Sequence, residues 1–191
     1  MRWANTVVAA SWAAYWGVIT FQYFSAERER RRAGQSRQRR TDSRSLAGMF
    51  LEAVAFALVL GFRRAPGAPA PALIMWLAAL LAPLAAALAV LSAHRLGREF
   101  RLQAVVTEDH RLVNSGPYRV LRHPIYCSLL ILLLATGFTV TQWPALAAAV
   151  AIFLAGTEIR IHVEEGLLAG RFGADFYAYR ARTAAYIPFV R

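Results

Sequence analysis

Lysine is absent: all 22 strongly basic side chains are arginine, set against only 11 acids. Together with the abundance of alanine, this points to a GC-rich, bacterial coding preference and carries no chemistry of its own. Cysteine is almost absent too. Cys127 stands alone inside an apolar run, which excludes an internal disulfide framework and any cysteine-based metal site. The four histidines lack a ligand spacing such as His-Glu-x-x-His, so no metal is expected. Neither a Gly-x-Gly-x-x-Gly turn nor a phosphate loop occurs, so a soluble-type nucleotide fold is not indicated. Long polar stretches are few, and the chemistry must be sought in them.

Apolar residues dominate instead. They make up 58% of the chain, with a mean hydropathy of +0.38, and they come in blocks, not in the stripes of soluble amphipathic helices. That pattern reads as bilayer spans. Five are expected, over about 3–24, 46–62, 72–93, 125–142 and 143–162. The first follows a single Arg2 and is long for a signal-peptide core, so it is read as a retained anchor. The third is rich in alanine, which permits close helix packing. The expected fold is therefore all-α and polytopic. Residues 1–93 form N-terminal spans with an Arg-rich linker at 27–44, and residues 94–191 form a second region of two spans and a C-terminal helix.

The net charge of +11 could suit nucleic acid, but the arginines lie between apolar blocks. The positive-inside rule explains that placement more economically. Five spans put the linker, the segment 94–122 and the C-terminal tail on one side, which is then cytoplasmic in a bacterial inner membrane. Arg63 and Arg64 fall on the other side and can snorkel to the interface. The linker is expected to meet solvent or anionic lipid headgroups, with no nucleic-acid partner.

Two polar segments carry the unusual residues. The first runs from Gln103 through His110, Ser115-Gly116-Pro117-Tyr118 and Arg122-His123-Pro124 to Tyr126. Ser-Gly-Pro is turn chemistry. Pro124 suits a helix's first turn and disfavours a helical His123. A helix start there, at the membrane surface, offers N–H groups to an anion. The second segment is Glu158-x-Arg160-x-His162-x-Glu164-Glu165. The apolar part of the fifth span is only about thirteen residues, roughly 20 Å, too short for a core of about 30 Å. Its helix must therefore continue and carry Glu158 and Arg160 to the interface or below, where charges face the bundle interior. Arg160 and Glu164 share a helix face. Singly, each residue has a plain reading: Arg122 as a membrane flank, His110 or His123 as a surface or capping group, Arg160 and Glu164 as a helical ion pair, Glu158 as the neutraliser of an arginine, the tyrosines as an interfacial belt.

Together they are more specific. His110-x-Leu112-Val113, Gly116-Pro117-Tyr118, Arg122-His123-Pro124-x-Tyr126, Arg160-x-x-x-Glu164-Glu165, Phe172-Gly173 and Ile187-Pro188, in that order and spacing, resemble the isoprenylcysteine carboxyl methyltransferase family and its phospholipid methyltransferase relatives. The resemblance covers roughly half the chain, about 103–188; the first three spans match only in being apolar. It implies a cytoplasmic S-adenosylmethionine pocket built from the C-terminal half, lined by Gln103, His110, Leu112, Val113, Tyr118, His123, Pro124, Tyr126 and Glu164. Arg160 would hold the reacting end of a lipophilic or lipidated acceptor entering from the bilayer, with a carboxylate as the expected methyl acceptor. Glu164 suits the cofactor's ammonium, the helix start at His123 its carboxylate, and the rings of Tyr118 or Tyr126 its sulfonium. A phenol, enol or amine acceptor would need a base, for which His162 and Glu165 are candidates. Two departures from the family pattern are Phe176 in place of a tyrosine and Ser128 in place of a glycine. A sterol-reductase-like enzyme using NADPH and a non-catalytic scaffold are the alternatives; no basic cluster dedicated to a 2′-phosphate is evident.

Overall fold

The computed structural model describes residues 2–32, 42–65, 68, 70–102 and 111–187. The described residues fold into six α-helices: α1 (Arg2–Arg32), α2 (Ser43–Gly61), α3 (Ala72–Leu96), α4 (Pro124–Val140), α5 (Trp143–Phe172) and α6 (Ala174–Ala181). Short 3₁₀ turns, Gly97–Glu99 and Gly116–Arg119, follow α3 and precede α4. Three helices, Ser43–Gly61, Trp143–Phe172 and α3 with its 3₁₀ extension (Ala72–Glu99), are long and apolar enough to cross a membrane. They give the chain the character of an integral membrane protein. The other two expected spans differ. α4 is apolar but has only 17 residues. α1 runs 31 residues, well beyond the expected end near 24, and takes the first arginines of the linker into its last turns.

Helix ends follow local chemistry. Asp42 caps α2 by accepting from the Arg44 N–H at 2.8 Å. Gly97 and Gly173, at φ near +50°, end α3 and α5 in the left-handed conformation that glycine adopts without penalty. The stop at Gly173 separates α5 from the C-terminal helix α6.

α1 packs on α3, α3 on α4, and α2 on α5. Alanine builds the first two contacts: Ala85, Ala86, Ala89 and Ala93 of α3 are buried against Tyr15 and Ile19 of α1 and Leu132 of α4. Glycine builds the third. A Cβ on Gly48 would lie 2.6 Å from the Gly156 carbonyl oxygen, and one on Gly156 would lie 2.7 Å from that of Gly48. Only at that backbone approach do side chains one turn further along each helix, Glu52 and Arg160, face each other. Backbone bridges then tie the bundle at both ends. Arg64 N–H donates to the Val140 carbonyl at 2.9 Å and Gln142 N–H to Phe62 at 3.0 Å. At the opposite end Arg122 and His123 N–H donate to Ala184 and Ala185, each at 2.8 Å. Arg64 does not simply snorkel outward: its guanidinium donates to the Phe138 carbonyl at 3.1 Å and lies 4.3 Å from the Trp143 ring centre.

Candidate active site

A cavity of about 670 Å³ opens where α1, α2, α4, α5 and α6 meet. One limb is charged and aromatic, lined by Glu164, Arg160, His123, Tyr118, Tyr126 and Arg111; the other is apolar, lined by Trp12, Trp16, Ile19, Met49, Phe56 and Leu60. Glu52 lines it too. The stripe on α2 from Met49 to Leu60 spans about 16 Å of helix.

Arg160 is buried. Its guanidinium donates to Glu52 Oε2 at 2.7 Å and to the Leu102 carbonyl at 2.9 Å. It lies 4.0 Å from Glu164 Oε1, and its central carbon 4.9 Å from the Tyr126 ring centre. Arg160 Nε has no hydrogen-bond partner among the described residues. Glu52 completes its own set by accepting from the Thr157 hydroxyl at 3.1 Å. Glu164 accepts from the Tyr126 hydroxyl and faces His123 Nδ1 at 3.5 Å. The other ring nitrogen of His123 lies 3.3 Å from Glu165 Oε1. Burial alone would lower the His123 pKa, but the two glutamates outweigh it and raise it above the ordinary histidine value.

Glu165 is also held by Arg122 at 2.7 Å and Arg180 at 3.2 Å. Arg122 donates in addition to the carbonyls of Arg180 and Thr183. It is thus no mere membrane flank: it pins the chain after α6 beneath the cavity. Tyr179 reinforces this by donating to the Tyr118 carbonyl at 2.7 Å. Burial pushes the Tyr179 hydroxyl up to about 12 and raises that of Tyr118 well above its usual value.

Of the residues expected at a cofactor site, Leu112, Val113, Tyr118, His123, Tyr126 and Glu164 come together on this cavity, beside Arg160. Pro124 is buried at the first position of α4 and is not among the cavity-lining residues; it shapes the entry to the helix. Gln103, His110 and Pro188 lie outside the described residues. The expected anion site at the start of α4 has fewer donors than the sequence suggested: the N–H groups of Arg122 and His123 are spent on Ala184 and Ala185, and Pro124 has none. The two candidate bases are also misplaced. His162 is exposed on another face of α5, beside Asp42, Arg44 and Glu158. Glu165 is enclosed by Arg122, Arg180 and His123. Glu158, expected toward the bundle, is exposed and accepts from the Tyr186 hydroxyl at 3.1 Å. Both departures from the family pattern are built in: Phe176 is buried against the cavity, and Ser128 pairs with the Tyr15 hydroxyl at 3.0 Å.

Sequence reasoning missed Glu52. Its signal was present, since it is the only acid in α2, and a charge in an apolar span faces the bundle interior. Trp12 and Tyr15 were missed as well. In sequence they read as ordinary span aromatics, and only the packing of α1 brings them to the cavity.

Residues 76–170 match the family model described as Isoprenylcysteine carboxyl methyltransferase (ICMT) family. Two curated proteins of Arabidopsis thaliana are similar over 84 residues: protein-S-isoprenylcysteine O-methyltransferase A at 37% identity and its B counterpart at 36%. Each alignment covers 44% of this chain and 42% of the relative, so the chain spans well under half the length of these proteins. The family region contains α4, nearly all of α5 and most of α3; α1 and α2, which supply the apolar limb and Glu52, precede it. Through residues 76–170, just under half of its length, this chain is similar to the isoprenylcysteine carboxyl methyltransferase family.

Proposed function

We propose that the protein is an integral membrane methyltransferase that takes S-adenosylmethionine and a lipophilic acceptor, with a carboxylate as the acceptor group. The carrying observation is one continuous cavity whose charged limb meets its apolar limb at Arg160 and Glu52. Its volume lies within the roughly 300–1,000 Å³ of small-molecule sites. The donor set fits the cofactor. Glu164 offers a carboxylate to an ammonium, Arg111 and Arg101 stand on the same wall for a carboxylate, and Tyr118, Tyr126 and Phe176 offer ring faces. When bound, S-adenosylmethionine supplies an electrophilic methyl group on a sulfonium.

The chain's own residues do the rest by positioning. Arg160, which lines the cavity, orients the acceptor oxygen. Glu52 shares the guanidinium charge, so the acceptor is held without being locked into a tight ion pair. A carboxylate acceptor is already ionised near neutral pH and needs no base, which accords with the placement of His162 and Glu165 away from the cavity. The apolar limb excludes water and takes the acceptor's tail from the bilayer. α1 and α4 complete a five-span topology, with the arginine-rich ends cytoplasmic. Trp3 and Trp76, 4.2 Å apart between ring centres, then sit with Trp143 toward the opposite interface.

Calorimetric binding of S-adenosylhomocysteine to the purified protein in detergent tests this reading, beside Glu164→Ala. Binding by the wild type and its loss in the variant are expected. A well-folded wild type that binds NADPH and not S-adenosylhomocysteine overturns it in favour of a reductase.

A further inference from the structure

Most of the charged limb is one connected network. Glu52 pairs with Arg160, Arg160 approaches Glu164, Glu164 faces His123, His123 faces Glu165, and Glu165 is held by Arg122 and Arg180. Its three carboxylates balance its three guanidiniums, so His123 sets the remaining charge: zero when neutral, one positive when protonated. Among the described residues, Tyr126 lies with its ring centre 5.8 Å from His123, and Tyr118, Tyr179, Glu99, Arg101 and Arg111 line the same cavity. His123 itself is only 7% exposed.

Glu164 is the carboxylate of this network that a ligand ammonium would meet. It already accepts from Tyr126 and faces both Arg160 and His123. A ligand ammonium arriving there adds a positive charge to a buried cluster. Tyr126 is neutral, and Arg160 cannot shed its proton. The one positive charge that can leave without unbalancing the network is the proton on His123.

We infer that His123 is a proton-exchange site: a ligand ammonium that docks on Glu164 expels the His123 proton, so that cofactor binding releases up to one proton. This deepens the function proposed above and rests on it. His123 acts through Glu164 as a positioning residue, keeping the carboxylate neutralised until a ligand replaces the proton. Each ring nitrogen of His123 faces a glutamate, an arrangement that suits the doubly protonated ring, and the two glutamates raise its pKa above the ordinary histidine value. Affinity then falls about tenfold for each unit that pH drops below that pKa, because the proton competes with the ligand.

The probe is S-adenosylhomocysteine, titrated calorimetrically into the full chain in detergent, in phosphate and in Tris at the same pH, between about pH 6 and pH 8. The difference in observed enthalpy between the buffers counts the protons exchanged. Release approaching one proton at the acid end, declining as pH rises, is expected. His123→Gln should bind with no proton exchange and with an affinity independent of pH over this range. Binding without release, or with uptake, overturns the inference and leaves the methyltransferase reading standing; a titrating ammonium on the probe itself gives uptake and cannot mimic the expected sign. Equal release from the glutamine variant also overturns it. Absence of binding by folded wild type overturns both. The wild-type proton count decides the matter even where the variant folds poorly.

Discussion

Removing one partner of the Glu52–Arg160 pair should cost more than removing both. The pair lies at 2.7 Å, with the two side chains 7% and 10% exposed, and it sits between two apolar helices. Breaking a buried pair by losing one member leaves an uncompensated charge, at a cost of about 3–5 kcal/mol. Glu52→Leu should fall near the lower end, because Glu164 at 4.0 Å and the Tyr126 ring face still compensate Arg160 in part. For a chain of this size, a loss of about 3 kcal/mol lowers the melting temperature by roughly 6–12 °C. Arg160→Met strands Glu52 with only the Thr157 hydroxyl and should cost as much or more. The double variant strands no charge. It loses hydrogen bonds at Thr157 and at the Leu102 carbonyl, each about 1 kcal/mol, and it should be more stable than either single variant. A double-mutant cycle read by thermal unfolding in detergent should therefore give a coupling of about 4 kcal/mol. Single effects that add to within about 0.5 kcal/mol would show that the pair is solvated and that the closeness of α2 and α5 does not confine it.

Two further outcomes follow from packing and titration. Gly48→Ala places a Cβ against the Gly156 carbonyl oxygen and Arg160 Cγ. It should cost about 1–3 kcal/mol and weaken Glu52–Arg160 coupling in the same cycle, whereas Gly166→Ala, with open space around its Cβ, should leave both unchanged. The folded-state pKa of His123 lies above its ordinary value, so its contribution to stability is full below about pH 6.5. That contribution is lost as pH rises through the folded value. Melting temperature in the absence of ligand should decline over that window, and His123→Gln should flatten the decline; a wild-type profile that rises there refutes the assignment.

Much of this protein was legible in its residue order. Apolar blocks separated by arginine specify buried or membrane-spanning helices because length and hydropathy alone decide whether a segment can leave water. The short apolar part of the last span required a helix that carries charge inward, and α5 does so through Arg160, Glu164 and Glu165. The shared faces of that helix also placed Arg160 and Glu164 together correctly. Less legible were residues whose role depends on partners distant in sequence. Arg122 looked like a flank because its partners, Glu165 and the carbonyls of Arg180 and Thr183, come from the far end of the chain. Glu165 looked like a free acid for the same reason.

The sequence by itself determined the class of the molecule, its helices and the polar segments that hold its chemistry, because hydropathy, turn residues and helical spacing act locally. Only the tertiary structure decided which polar groups meet and which are already spent. The approach of Gly48 to Gly156 commits Glu52 to Arg160, and the return of the C-terminal segment consumes the N–H groups before α4. Distances of a few ångströms between helices settle the state of a buried charge, and no local pattern encodes them.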